Sequence, residues 1–381
     1  MNKYQRQSSA DQMNNDQQSR DASLGETVSS ASSGLAIAHE PWKEQSIIAA
    51  LLDQGFSKGV ASVIPHSNPY YPIRFWLIDN GGHMRVLDGK RILGSELQHQ
   101  VIACSRWVEL QETMDFHIQL AGLNETPTIF RFINYPPQAC AREFCVGRYR
   151  QPSEVDVALS IVRDCEPRGA NELSEHLREI YERIRTIEPE LRAQKQQAIV
   201  VLAVAGLPED GTLADDLRLL QSLPVRLIVR LCVDDSKVYH YYAELSRNLK
   251  EPLEIVGEYF SEAKKIHRYN PWLTYGLTLH RCREMGIGHH LLSMLGQRSL
   301  DKEEASIVVG MLFGKEFLAQ NNHEVNSKQF LSNVTRFNKE QGQIWNPVTG
   351  KMEFWVDTKK LQKSYSNKQF FGLLRKNSNT K

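Results

Sequence analysis

Two ionisable residues four apart, Asp79 and His83, stand in the stretch RFWLIDNGGHM, residues 74–84. An aromatic and aliphatic run ends in the carboxylate, and two glycines separate it from the imidazole. A buried strand that delivers one carboxylate to a glycine turn is a common way to build a ligand site. Three kinds of chemistry are open to the pair. Asp79 can cap its own turn by accepting N–H bonds from Gly81, Gly82 or His83, which is the reading favoured here. It can orient His83 as a general base, which makes a hydrolase if a nucleophile is present. Ser95 and Ser105 are candidates by position, but neither sits in a GxSxG elbow. Or Asp79 can face positive charge: an Arg or Lys in a metal's place, or a cation shared with His83 and Asn171, where carboxylate, imidazole and amide suit a transition ion better than Mg²⁺.

Other residues of the right type carry less. Cys104 falls in an apolar stretch read as helical and is expected to pack in the core. His289 and His290 are adjacent, so on a helix they point about 100° apart and chelate one metal poorly; they mark a helix start. LDKEEA (300–305) is a helix N-terminus, with Asp301 as cap and acids in the first turn.

The chain has 381 residues, 41% hydrophobic and 24% charged, with a net charge of +1. That composition suits a large soluble domain with appendages, and the charge sets up no global field for nucleic acid or membrane. The six cysteines include no CxxC pair and no secretory leader opens the chain. We read them as reduced thiols and expect a cytoplasmic or nuclear protein. No apolar run reaches the roughly 18 residues that a membrane span needs.

The elements that must position Asp79 follow from periodicity. Residues 1–40 are polar and low in complexity, and are expected to be disordered. Residues 41–69 form a short helical lid. From 70 onward, near-continuous apolar runs alternate with amphipathic ones. IRFWLID (73–79), TIFRFIN (128–134), AIVVLAVAGLP (198–208), VRLIVRLC (225–232) and LEIV (253–256) are strands, and REFCVG (142–147) is an edge strand in a hairpin. Residues 95–124 are read as one helical region, with Trp107, Leu110, Met114, Ile118 and Ala121 forming its buried stripe. LSEHLREIYERIRTI is a clearer helix, with Pro189 as a stop soon after it. The rhythm is α/β: a doubly wound, mostly parallel, Rossmann-like sheet with helices on both faces and helical N- and C-terminal extensions. Residues 258–320 are a helical extension packed on the 70–257 domain, and 321–381 hold a hairpin and a basic tail.

At this point the chain resembles the von Willebrand factor A-type (VWA) domain. The order of elements is similar: a strand ending in Asp, an amphipathic helix, a hairpin, a long helix after a Gly-containing loop, and a strand ending in Gly-Leu-Pro. The resemblance implies a top-face Mg²⁺ site built from an Asp-x-Ser-x-Ser loop, a Thr loop and a Thr-Asp-Gly loop. Such a site offers near-octahedral oxygens at about 2.1 Å and leaves one place for a partner's carboxylate. Residue by residue, the first Asp is Asp79. Gly81 and His83 stand at the two Ser positions, Asn171 at the Thr position and Ala205 at the Asp position. One ligand of five matches, so the resemblance implies the fold without the metal, and neither a metal nor another cofactor is expected.

The expected function is therefore non-enzymatic: a scaffold that binds a protein partner through top-face loops 79–94, 135–152, 166–172 and 205–213. The alternatives are a hydrolase using Asp79 and His83, or a nucleic-acid or membrane-surface binder acting through its tail. Residues 351–381 carry eight Lys or Arg and two acids, which suits an acidic or anionic partner.

Overall fold

A computed structural model of the chain describes residues 41–95, 98–136, 141–148, 151–321 and 326–364. The polar tail 1–40 and the last part of the basic tail, 365–381, lie outside the described residues.

A helical pair, α1 (Pro41–Asp53) and α2 (Lys58–Ser67), precedes the first strand. Strand β1 (Arg74–Ile78) is buried at every position, as the apolar run 75–78 requires, with the charged Arg74 buried at its start. A 3₁₀ turn at Gly82–Arg85 follows, then an antiparallel hairpin, β2 (Gly89–Ser95) and β3 (Gln98–Cys104).

That hairpin corrects the sequence reading, which took 95–124 as helical. The segment before Ser105 is extended because its apolar residues serve a strand pair, with Ile92 facing Val101 in the register. Gly89 lets the hairpin start close to the chain: a Cβ there would lie 2.7 Å from the Ser105 carbonyl oxygen. The helix begins only where Ser105 caps it, its hydroxyl accepting the Val108 N–H at 3.3 Å. Cys104 thus ends a strand and is half-buried rather than packed in a helix core.

From there the chain alternates. Helix α3 (Arg106–Asn124) buries the expected stripe, and β4 (Thr128–Phe132) and β5 (Glu143–Val146) form the edge hairpin. Helices α4 (Pro152–Asp164) and α5 (Ser174–Ala193) lead to β6 (Ala198–Val204), α6 (Leu213–Leu220), β7 (Val225–Leu231), α7 (Ser236–Arg247) and β8 (Glu254–Val256). Pro189 does not stop α5, which runs on to Ala193. Proline removes one backbone bond, while Ile187 and Leu191 on the last turns are buried and hold them against the core.

The six-stranded sheet has the order β5-β4-β1-β6-β7-β8, parallel throughout except for β5. Ile78 stands level with Phe132 and Ala203, so β1, β4 and β6 end together and bring three loops to one end of the sheet. This is the place where open α/β sheets put their ligands.

Helices α8 (Tyr259–Tyr269), α9 (Leu277–Glu284), α10 (Leu291–Met294), α11 (Lys302–Phe313), α12 (Lys315–Gln320) and α13 (Ser327–Gln341) follow. The hairpin of β9 (Gln343–Asn346) and β10 (Lys351–Phe354) comes next, and residues 358–364 are helical again. Asp301 does cap α11, its Oδ1 accepting the Glu304 N–H at 2.9 Å while Glu304 Oε2 accepts the Asp301 N–H at 2.9 Å.

A second hydrophobic core joins segments far apart in sequence: Leu51 and Ile64 from the first pair, Val308 and Phe313 from α11, and Trp355 after the hairpin. The contact is close because Gly59 has no side chain; a Cβ there would stand 2.0 Å from the Met311 carbonyl oxygen. Leu120 of α3 also belongs to this core, so α3 faces the sheet with one side and the helical layer with the other. Among the described residues no helix is long and apolar enough to cross a membrane.

Candidate functional site

Asp79 follows β1 directly and is fully buried. Its N–H donates to the Ala203 carbonyl at 2.9 Å, which continues the β1–β6 ladder by one residue. Its Oδ1 accepts the Gly81 N–H at 2.9 Å, the turn cap that the sequence suggests. Its Oδ2 accepts the Ala205 N–H of the third loop at 3.2 Å and bonds His83 Nε2 at 2.6 Å. One carboxylate therefore ties its own turn, a neighbouring strand end and the imidazole.

Gly81 explains how the imidazole reaches it. A Cβ at Gly81 would lie 2.7 Å from His83 Cε1 and 3.0 Å from both His83 Nδ1 and Asp79 Oδ1. The space that a serine would fill in an Asp-x-Ser-x-Ser loop is taken by the His83 ring. The Asp79 bond holds the His83 pKa above its ordinary value, against burial, which pulls it down.

The other two loops close around this pair. The Gly82 N–H donates to Gly169 O at 3.0 Å, and the Arg168 N–H to Asn80 O at 2.7 Å, joining the first loop to the second. Asn171 N–H donates to Glu209 Oε1 at 3.1 Å, Asn171 Nδ2 donates to Leu207 O at 3.1 Å, and Glu209 N–H returns to Asn171 O at 2.9 Å, joining the second to the third. The position a Cβ of Gly206 would take is 3.8 Å from His83 Nε2 and 3.9 Å from Asn171 Nδ2. So Asp79, Gly81, His83, Asn171 and Ala205 do come together.

The donor set does not fit Mg²⁺. Both Asp79 oxygens already accept, Gly81 and Ala205 carry no ligating side-chain atom, and an imidazole nitrogen is a poor ligand for a hard cation. Asn171 Oδ1 is a buried acceptor without a partner. Among the described residues there is no group of three or more His, Cys, Asp or Glu that could hold a metal ion. Among the described residues the His83 ring is bonded to Asp79, and no hydroxyl or thiol is hydrogen-bonded to it.

Sequence reasoning missed two features. Asn80, also fully buried, clasps Asn134 with both amide atoms: its Nδ2 donates to Asn134 O at 2.9 Å and its Oδ1 accepts the Asn134 N–H at 2.7 Å. Asn134 Nδ2 in turn donates to Ala170 O at 2.8 Å, so a chain of amides braces the first two loops. The signal was present, since the apolar runs of β1 and β4 both lead into an Asn.

The second is a buried ionic network between sheet and helical layer. Arg230 of β7 bonds Glu109 at 2.9 Å and Glu284 at 3.1 Å. Glu284 also takes Arg281 at 2.9 Å and His117 at 3.1 Å. Burial alone would raise the Glu284 pKa, but Arg281, His280 and the His117 bond outweigh it and hold it well below the usual range. Burial lowers His117 to about 4, leaving it neutral near pH 7. Arg226 and Arg230, two charges in an otherwise apolar strand, are the signal that buried partners exist.

No protein-family model matches this chain, and no curated protein matches it.

Proposed function

We propose that the chain is a protein-binding scaffold built on a VWA-like domain whose top face meets its partner without a bridging cation. The strand order β5-β4-β1-β6-β7-β8, with an antiparallel edge hairpin, supports the resemblance drawn from the loops. The observation that carries the reading is the 2.6 Å bond between His83 and Asp79. Where the family's first aspartate faces a metal ion, this one faces the chain's own imidazole, braced by the loops that would have carried the other ligands. The turns persist as a platform while the ligating chemistry is replaced. Isothermal titration of the full chain with Mg²⁺, Mn²⁺ and Ca²⁺ tests it. No saturable heat is expected; a micromolar site abolished by Asp79→Ala would overturn the cation-free part.

A second reading rests on the same bond. A carboxylate that orients an imidazole is half of a hydrolytic triad. It lacks a described nucleophile at His83, so it requires a water or a substrate group in that place. Turnover of an activated ester by the full chain, lost in His83→Ala, would favour it over the scaffold.

A further inference from the structure

At the opposite end of β1 lies a feature that the top face does not explain. Arg74, the first residue of the strand, is only 5% exposed. Its Nε and Nη2 have no hydrogen-bond partner, and among the described residues it has no ion pair. Its pKa is lowered to about 10 by burial, with only the Tyr71 phenol nearby acting against this. A buried guanidinium with free donors and no counter-charge is costly. Every other large buried guanidinium of the core is paired: Arg230 with Glu109 and Glu284, Arg283 with Glu262.

The His117 imidazole that lines the same space as Arg74 is no counter-charge, since an imidazole is neutral or cationic. His117 is itself kept neutral by burial and donates its interaction to Glu284, whose carboxylate is already held by Arg230 and Arg281. Arg74 borders a small half-open recess, lined also by His117, Asn124, Thr126 and Thr128, in which Asn124 Oδ1 is a buried acceptor without a partner. The hydroxyls of Thr126 and Thr128 spend their protons on the carbonyls of Asn124 and Thr126, at 3.3 and 2.9 Å. The guanidinium is thus the one charged donor that the cavity has to offer. The room beside the guanidinium suits about one water-sized or slightly larger species.

We propose that this cavity is a binding site for one small monovalent anion of the size of chloride, held by Arg74 Nε and Nη2. The anion supplies the missing counter-charge and makes the strand's start stable without an acidic side chain. It would bind the folded state alone, because no preformed pocket exists in the unfolded chain, so it raises stability by mass action.

The test is thermal unfolding of the full chain at fixed ionic strength, with sodium gluconate replaced stepwise by sodium chloride or bromide. The expected result is a rise of about 2 °C in Tm for each tenfold increase in halide once the site fills. In Arg74→Met the halide slope should vanish. Equal Tm values in all mixtures, or a slope retained in Arg74→Met, would overturn the proposal and leave a bridging water in the cavity. Should Arg74→Met fail to fold, anomalous scattering from bromide-soaked crystals of the unaltered chain decides: a bromide peak beside Arg74 supports the site, and its absence there refutes it.

Discussion

His83 lies over Asp79 with Nε2 2.6 Å from Oδ2, so a side chain four residues on covers the carboxylate that ends the central strand. The bond raises the His83 pKa in the folded state above its ordinary value of 6.5. A folded-state pKa above the unfolded one means that the folded chain holds the proton more tightly. The stability from this bond is therefore complete below about pH 6.5 and is lost as pH rises through the raised value. Urea unfolding of the native chain should show a decline across that interval, and His83→Gln should flatten it. A decline that is unchanged in His83→Gln would remove the imidazolium from the account.

The ring and the glycine beneath it should behave as one unit. Gly81→Ser alone puts a Cβ 2.7 Å from His83 Cε1 and must displace the ring or the turn. We expect a loss of about 1–3 kcal/mol, the usual range for overpacking. With His83→Ser in the same chain the ring is gone and the clash with it. The double variant should then cost less than the sum of the singles, by about 0.5 kcal/mol or more. Strict additivity in the double-mutant cycle would show that the ring does not occupy this space.

Much of this site was legible in the sequence because it is local. Asp79, Gly81 and His83 lie within one turn, and the strand before them is a plain apolar run. The loops around Asn171 and Ala205 were placed by their neighbours Gly169 and Gly206. What failed were features whose cause lies elsewhere in the chain. Residues 98–104 look helical in isolation; they are a strand because β2 pairs with them. Pro189 looks like a stop; the burial of Leu191 against the core overrides it. Arg230 meets Glu109 across 121 positions, and no local pattern announces such a partner. The fit of the His83 ring against Gly81 is likewise a property of three-dimensional packing, although the glycine that permits it is plain to read.

The ionic network predicts a second, opposite pH effect. His117 has its pKa lowered from 6.5 to about 4, so between these values the unfolded chain takes up a proton that the folded chain refuses. Stability should fall as pH drops from 6.5 towards 4, where the His83 bond is fully present and contributes no slope. Glu284, held well below its ordinary 4.5, extends the loss to lower pH. Glu284→Gln leaves Arg230 and Arg281 short of a carboxylate inside the protein. Breaking a buried pair from one side typically costs about 3–5 kcal/mol, and we expect that order. A denaturation midpoint shifted by less than a fifth of this would show that the network is solvated rather than closed.

Part of the basic tail is built into the second core. Trp355, Val356 and Leu361 are buried in the second core, and Asn338 clasps Val356 with an Nδ2 bond of 2.7 Å and an Oδ1 bond of 3.2 Å. Losing Trp355 alone is worth about 3–5 kcal/mol by analogy with large-to-small core substitutions, and the whole segment more. A chain ending at 350 should therefore unfold at a markedly lower temperature, whatever its binding. A chain ending at 364 retains Trp355, Val356 and Leu361 while losing Lys368, Arg375, Lys376 and Lys381. Heparin affinity provides the readout for an anionic partner. If the tail binds by charge, affinity of the full chain falls steeply with salt, and the 364 truncation weakens it and lowers the salt slope. Binding that ignores salt, or that survives the truncation unchanged, would rule the tail out as a polyanion contact.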